Sequence, residues 1–137
     1  RFLTEMGGAF AFMGTQHRLE VGGQEYFIDL LLFHRRLRSL VAVELKVGSF
    51  RPEHKGKMEF YLEALDTQER IEGENPPIGI IICRDKNQTV VEYALRTAGR
   101  PIGVATYSVV PQLPEAFRGE LPSPEEIAER LGAWRSP

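Results

Sequence analysis

The stretch "EYFIDLLLFHRRLRSLVAVELK" (residues 25–46) decides how this chain folds, because it sets Asp29, Glu44 and Lys46 inside two apolar runs. A buried charge is costly unless it is paired or bound to a metal. Two strands that accept that cost must do more than pack. The basic turn "HRRLR" (34–38) separates them. A hairpin centred on Arg36 and Leu37 puts Asp29 directly opposite Glu44, and cross-strand partners point to the same sheet face. Lys46, two residues beyond Glu44, shares that face. Upstream, Gly22-Gly23 marks a second tight hairpin. It brings Gln16 beside Asp29 and sets Glu20 opposite Glu25 near the tip, where Glu20 reads as a surface residue.

Two carboxylates that face each other are mutually destabilising unless one is protonated or a cation lies between them. A hard divalent ion such as Mg²⁺ suits two carboxylates, a backbone carbonyl and waters. A lysine one step along the same face can hold an attacking water or steady charge on a phosphoryl oxygen. That combination serves phosphodiester hydrolysis. The competing reading is a buried Asp–Lys–Glu salt-bridge cluster that fixes strand register, and so short a pattern leaves both open.

Outward from this centre the chain reads as one alternating domain over residues 1–137. "RFLTEMGGAFAFM" (1–13) has apolar residues at 3, 6, 10 and 13, a helical spacing with Gly14 as its C-cap. The strands "TQHRLEV", "EYFIDLLLF" and "SLVAVELKV" follow. "RPEHKGKMEFYLEALDTQER" (51–70) predicts a helix with Pro52 in its first turn and Met58, Tyr61, Leu62 and Leu65 as its core stripe. Then come the strand "PIGIIICRD", the helix "QTVVEYALRTA" closed by Gly99, and the strand "PIGVATYSV". In the tail (112–137), Ser123, Pro124 and Glu126 open a short helix with capping-box spacing. The order αβββαβαβ is an α/β fold, a mixed sheet with flanking helices.

The chain has 137 residues, 42% hydrophobic and 26% charged, which suits one globular domain with one core. No apolar run approaches the roughly 20 residues of a membrane span. The opening "RFLTEMGGAF" has neither a signal-peptide pattern nor an initiator Met, so the expectation is a domain of a longer protein. Cys83 is the single cysteine, which points to a reducing cytoplasm. A net charge of −2 gives no global attraction to nucleic acid, although 34–38 and 51–57 are locally basic.

Asp29, followed fifteen positions later by Glu44-Leu45-Lys46, resembles the PD-(D/E)XK nuclease signature. The stretch from "GGAFAFMGTQHRLEV" through "VELKVGSFRPEHKGKMEFYLEALD", continued by "ENPPIGIIICRDKNQTVVEYALR" and "PIGVATYSV", is similar to the C-terminal nuclease domain of the YhcG-type family of bacterial nucleases. The resemblance implies a restriction-endonuclease-like core and a Mg²⁺- or Mn²⁺-dependent endodeoxyribonuclease. Its partners would be duplex or branched DNA and an N-terminal domain of the same protein. It implies Asp29 and Glu44 as metal ligands, the Leu45 carbonyl as a third, Glu5 on the first helix as a further one, and Lys46 as the catalytic lysine. Relatives carry a glutamine and a tyrosine four apart on the next helix. Here those positions are Lys57 and Tyr61, so a cation replaces the glutamine and is expected to contact phosphate. Ile28 stands where the signature has proline.

Gln16, Arg35 and Arg36 complete the expected nucleic-acid contacts, although the turn carrying the arginines lies several residues from Asp29. A homodimer would make two cuts in a duplex straightforward. The other class of function is a catalytically inactive nuclease-like module that binds DNA or a protein. The histidines His17, His34 and His54 share no metal spacing with Cys83. Cys83 itself reads as an inert core thiol.

Overall fold

Gly22 and Gly23 have φ of +60° and +81°, the left-handed pair that a two-residue hairpin turn requires. They join β1 (Phe10–Val21) to β2 (Gln24–His34) in antiparallel register, with Glu20 opposite Glu25 as expected. Arg18 lies between those two acids, its Nε 2.7 Å from Glu25 and its Nη2 3.0 Å from Glu20. The computed structural model describes residues 10–106.

The helix expected over 1–13 is overturned where the chain is described. Phe10–Met13 belongs to β1. Phe10 is buried and packs edge-on against His34, ring centroids 4.7 Å apart. Pairing with β2 satisfies the backbone here and the ring contact holds it, so local helical spacing loses to a tertiary partner. Gly14 lies beside a β-bulge between Phe12 and Gly14, not at a helix end. Residues 1–9, with Glu5, and 107–137, with the tail helix, lie outside the described residues.

The second hairpin closes through the exposed residues 35–38 into β3 (Ser39–Leu45). Leu37 N donates to His34 Nδ1 at 3.1 Å, and Asn75 Nδ2 donates to Leu37 O at 2.7 Å. The register from His34 opposite Ser39 to Leu30 opposite Val43 is the one the turn length dictates. From β3 the sheet turns parallel. A crossover through α1 (Pro52–Gln68) leads to β4 (Asn75–Cys83), and one through α2 (Gln88–Arg96) leads to β5 (Ile102–Thr106). The sheet order is β1-β2-β3-β4-β5, antiparallel up to β3 and parallel after it.

The expected helix stripe is the core. Met58, Tyr61, Leu62 and Leu65 form one buried cluster with Leu31, Ala42, Ile81 and Cys83. Leu32, Val41, Val43, Leu45 and Ile82, on alternate strand positions, are buried as well. The central strands are therefore buried on both faces, which explains their continuous apolar runs. Cys83 is fully buried and burial pushes its thiol pKa up to about 11, as suits an inert core residue. Asn87 caps α2 by accepting from Thr89 N and Val90 N. No helix among the described residues is long and apolar enough to cross a membrane.

Gly79 lets α1 lie close to β4. A Cβ added there would stand 2.6 Å from Met58 Cγ and 2.7 Å from its Sδ, with Leu62 Cδ1 at 3.2 Å. Met58 and Leu62 are themselves buried, so neither has room to retreat. Gly79→Ala is expected to cost about 1–3 kcal/mol in denaturant unfolding. The cost should shrink on a Met58→Ala background; equal costs on both backgrounds would contradict this contact.

Candidate active site

The β2–β3 ladder runs regularly from the turn to Leu30 and Val43, and then the carboxylates take over. Asp29 N donates to Glu44 Oε2 at 2.8 Å, and Leu45 N donates to Asp29 Oδ2 at 3.0 Å. Each acid thus grips the backbone of the opposite strand. Both are only 4% exposed. The sequence picture of two carboxylates simply repelling across a pair is therefore incomplete, because each is also an acceptor that its neighbour's strand needs.

The remaining oxygens have partners too. Gln16 Nε2 donates to Asp29 Oδ1 at 3.2 Å, and Lys46 Nζ stands 3.8 Å from Glu44 Oε1. Gln16 has φ of +47°, a left-handed conformation that costs a non-glycine residue energy. That unusual turn of β1 accompanies the contact with Asp29. Lys46 lies just past β3, its N donating to Ile82 O of β4 at 2.8 Å.

Glu44 carries the electrostatic signature of the site. Burial, and then the charge of Asp29, raise its pKa to about 7. The hydrogen bond from Asp29 N and the charges of Lys46 and Lys57 oppose the rise without cancelling it. Burial is the larger cause of the rise, and the facing charge of Asp29 adds to it. Two buried carboxylates held side by side offer the hard oxygen donors that suit a hard divalent cation. Among the described residues no group of three His, Cys, Asp or Glu side chains gathers to hold a metal.

Other expected residues fall into two groups. Lys57 on α1 acts electrostatically on Glu44 and lies 5.7 Å from the Tyr61 ring centroid, within cation–π range. Tyr61 is 2% exposed and belongs to the core cluster. Arg35 and Arg36 are exposed at the hairpin tip, six or more residues along β2 from Asp29, or roughly 20 Å at strand rise. His17 meets Glu69, the residue that caps the end of α1, Nε2 to Oε2 2.6 Å.

A cleft of about 370 Å³ opens beside Lys46, lined also by Gly48, Ser49, Arg51, His54 and Arg84. Arg51 opens the stretch 51–57 that reads as locally basic, whereas Arg84 carries no expectation from sequence. Parallel pairing of β3 with β4 matches Leu45 with Ile82, and that register is the signal that brings Arg84 level with the residues after Lys46.

The mixed five-stranded sheet with its two helices is the restriction-endonuclease-like fold. A repair endonuclease from Pyrococcus abyssi matches with a TM-score of 0.52 at 14% identity, over 74% of this chain and 39% of that one. EndoMS in complex with double-stranded DNA matches with a TM-score of 0.51 at 14% identity, over 70% and 36%. The chain belongs to the YhcG PDDEXK nuclease domain family, whose model matches residues 1–122. It is 42% identical over 117 residues to the YhcG protein of Escherichia coli (strain K12), covering 85% of this chain. It spans 31% of that protein's length.

The elevated pKa of Glu44 has a stability consequence in metal-free buffer. Between pH 4.5 and about 7 the folded state binds more protons than the unfolded state. Stability therefore falls as pH rises through that window. Glu44→Gln keeps an acceptor for Asp29 N and removes the titration. Relative to wild type it should gain on the order of 2–3 kcal/mol between pH 4.5 and pH 8 in EDTA. Parallel urea-midpoint curves for the two proteins would contradict the assignment.

Proposed function

We propose that this domain is a divalent-metal-dependent nuclease that hydrolyses phosphodiester bonds of DNA, with Asp29 and Glu44 as the metal-holding pair. The observation that carries the reading is this pair, buried, locked to each other's strands, and flanked by Lys46. Family membership supports the chemistry. The endonuclease folds that this chain resembles, one of them solved with double-stranded DNA, support the substrate. By the family pattern the Leu45 carbonyl joins the ligands. A bound Mg²⁺ or Mn²⁺ would supply Lewis-acid activation of water and of the scissile phosphoryl group.

The chain's own residues do the positioning. Gln16 and Leu45 N hold the Asp29 carboxylate from two sides, and Asp29 N holds Glu44. Both acids enter the reaction already oriented, so little is spent on ordering them. Lys46 places an ammonium beside Glu44 that orients the attacking water or steadies the charge growing on the phosphoryl oxygens. Water adds to phosphorus, the ester bond to the departing oxygen breaks, and that oxygen takes up a proton. The curated relative is about three times as long as the matched region, and a further domain of the same protein is the natural partner for DNA selection.

Plasmid and linear DNA cleavage in Mg²⁺ and Mn²⁺ tests the reading. Asp29→Asn, which keeps an acceptor for Leu45 N, should reduce the rate to background. Lys46→Ala should lose about 100–1,000-fold while calorimetry still detects metal. Wild-type rates in both variants would sink the site, and a domain that binds Mg²⁺ and DNA without cutting would favour an inactive binding module. Gln16→Ala should weaken Mg²⁺ binding about 10–100-fold through the loosened Asp29; unchanged titration curves would make Gln16 a bystander.

A further inference from the structure

The cleft beside Lys46 is built from segments that the carboxylate pair does not use. The loop after β3 is pinned to the end of β4: Arg84 N donates to Gly48 O, and Phe50 N donates to Asp85 O, both at 3.0 Å. Ser49 and Asp85 form a parallel bridge, and the Ser49 hydroxyl donates to the Asp85 carboxylate. The walls of the cleft are therefore fixed by backbone contacts. Beside the apolar Val47, its side chains are the cations Lys46, Arg51 and Arg84 and the polar Ser49 and His54. Arg51 and Arg84 are each more than 60% exposed at the side chain, whereas Lys46 is 19% exposed. Arg51 N donates to His54 Nδ1 at 3.1 Å, which leaves the neutral ring its Nε2–H as a donor. Burial, and then Lys46, with smaller contributions from Arg51 and Lys57, lower the His54 pKa, while Glu53 opposes them.

We propose that this cleft is a second phosphate-binding subsite, which takes the backbone phosphate neighbouring the scissile one on the strand being cut. The inference rests on the nuclease reading above. Lys46 belongs to both places, 3.8 Å from Glu44 and in the cleft lining, so a strand at the carboxylates runs on into the cleft. Two acids temper the charge: Arg51 lies 3.7 Å from Glu53, and Arg84 is bonded to Asp85 at 2.7 Å. Both are exposed pairs of little net worth, and a phosphate offers each guanidinium a stronger, bidentate partner. Such a contact fixes the position of the strand and reads no bases. Substrate choice by sequence must come from elsewhere in the protein.

The test is duplex DNA binding by fluorescence anisotropy across a salt series, with Glu44→Gln in every protein to block turnover. Adding Arg51→Gln and Arg84→Gln should weaken binding about tenfold or more and flatten the slope of log K against log salt by about 1, the share of one phosphate. A single neutral methylphosphonate, moved along the strand, should weaken the parent protein at the one neighbouring phosphate and leave the arginine variant indifferent there. Thermal melts of the variants should match the parent, since both arginines are exposed. An unchanged affinity and slope, or an equal methylphosphonate penalty in both proteins, would overturn the subsite. If the wild-type protein still cuts DNA in that case, only the subsite fails. If the parent protein binds no DNA and the wild type cuts none, the nuclease reading falls with it.

Discussion

Everything at this site depends on one exchange: the carboxylates of Asp29 and Glu44 replace backbone groups as hydrogen-bond partners at the point where the β2–β3 ladder ends. An ordinary ladder would satisfy Asp29 N and Leu45 N with carbonyls. Here acids do it, so neither can leave without stranding a buried donor, a loss of about 1–3 kcal/mol. The same exchange forces two negative charges into a site that is 4% exposed. Hydrogen bonding and charge therefore pull in opposite directions at Glu44, and its raised pKa reflects the tension. Such a conflict is expected where chemistry, not packing, sets the residue.

The rest of the sheet makes this tolerable. Leu30–Leu32 of β2 and Leu40–Val43 of β3 are apolar on both faces, and α1 covers one face through Met58, Tyr61, Leu62 and Leu65. A fully buried Leu contributes roughly 1.5–3 kcal/mol, so a few of them offset one ionised pair. Gly79 keeps the helix close enough for that contact. Lys57, on the same helix and beside the Tyr61 ring of that stripe, acts electrostatically on Glu44. Packing and electrostatics share a single spacer.

How much of this was legible in the sequence follows from what fixes each register. The pairing of Asp29 with Glu44, and of Gln16 with Asp29, could be read because short turns leave almost no freedom, and both hairpins match. The helix expected through Met13 was misread because its spacing of apolar residues is shared by an irregular strand, and the bulge near Gly14 breaks the alternation that would have revealed β1. The convergence of Arg51, His54 and Arg84 could not be read. It depends on the parallel match of β3 to β4 across an intervening helix, and no turn dictates that match. The side-chain-to-backbone exchange was hidden too, since pattern alone shows which residues face each other and not which atoms they use.

β3 has an antiparallel neighbour on one side and a parallel neighbour on the other, and this gives the two halves of the site different histories in the folding chain. Asp29 and Glu44 are separated by 15 residues, Ser49 and Asp85 by 36. Closing the longer loop costs up to about 1 kcal/mol more chain entropy, before the helix between its ends is ordered. The carboxylate pair is a local structure that a hairpin can assemble by itself. The basic cleft is a long-range one that exists only when the crossover is complete. A chain caught midway would hold its acids with Lys46 beside them but without Arg84, so the finished crossover is what completes the basic wall.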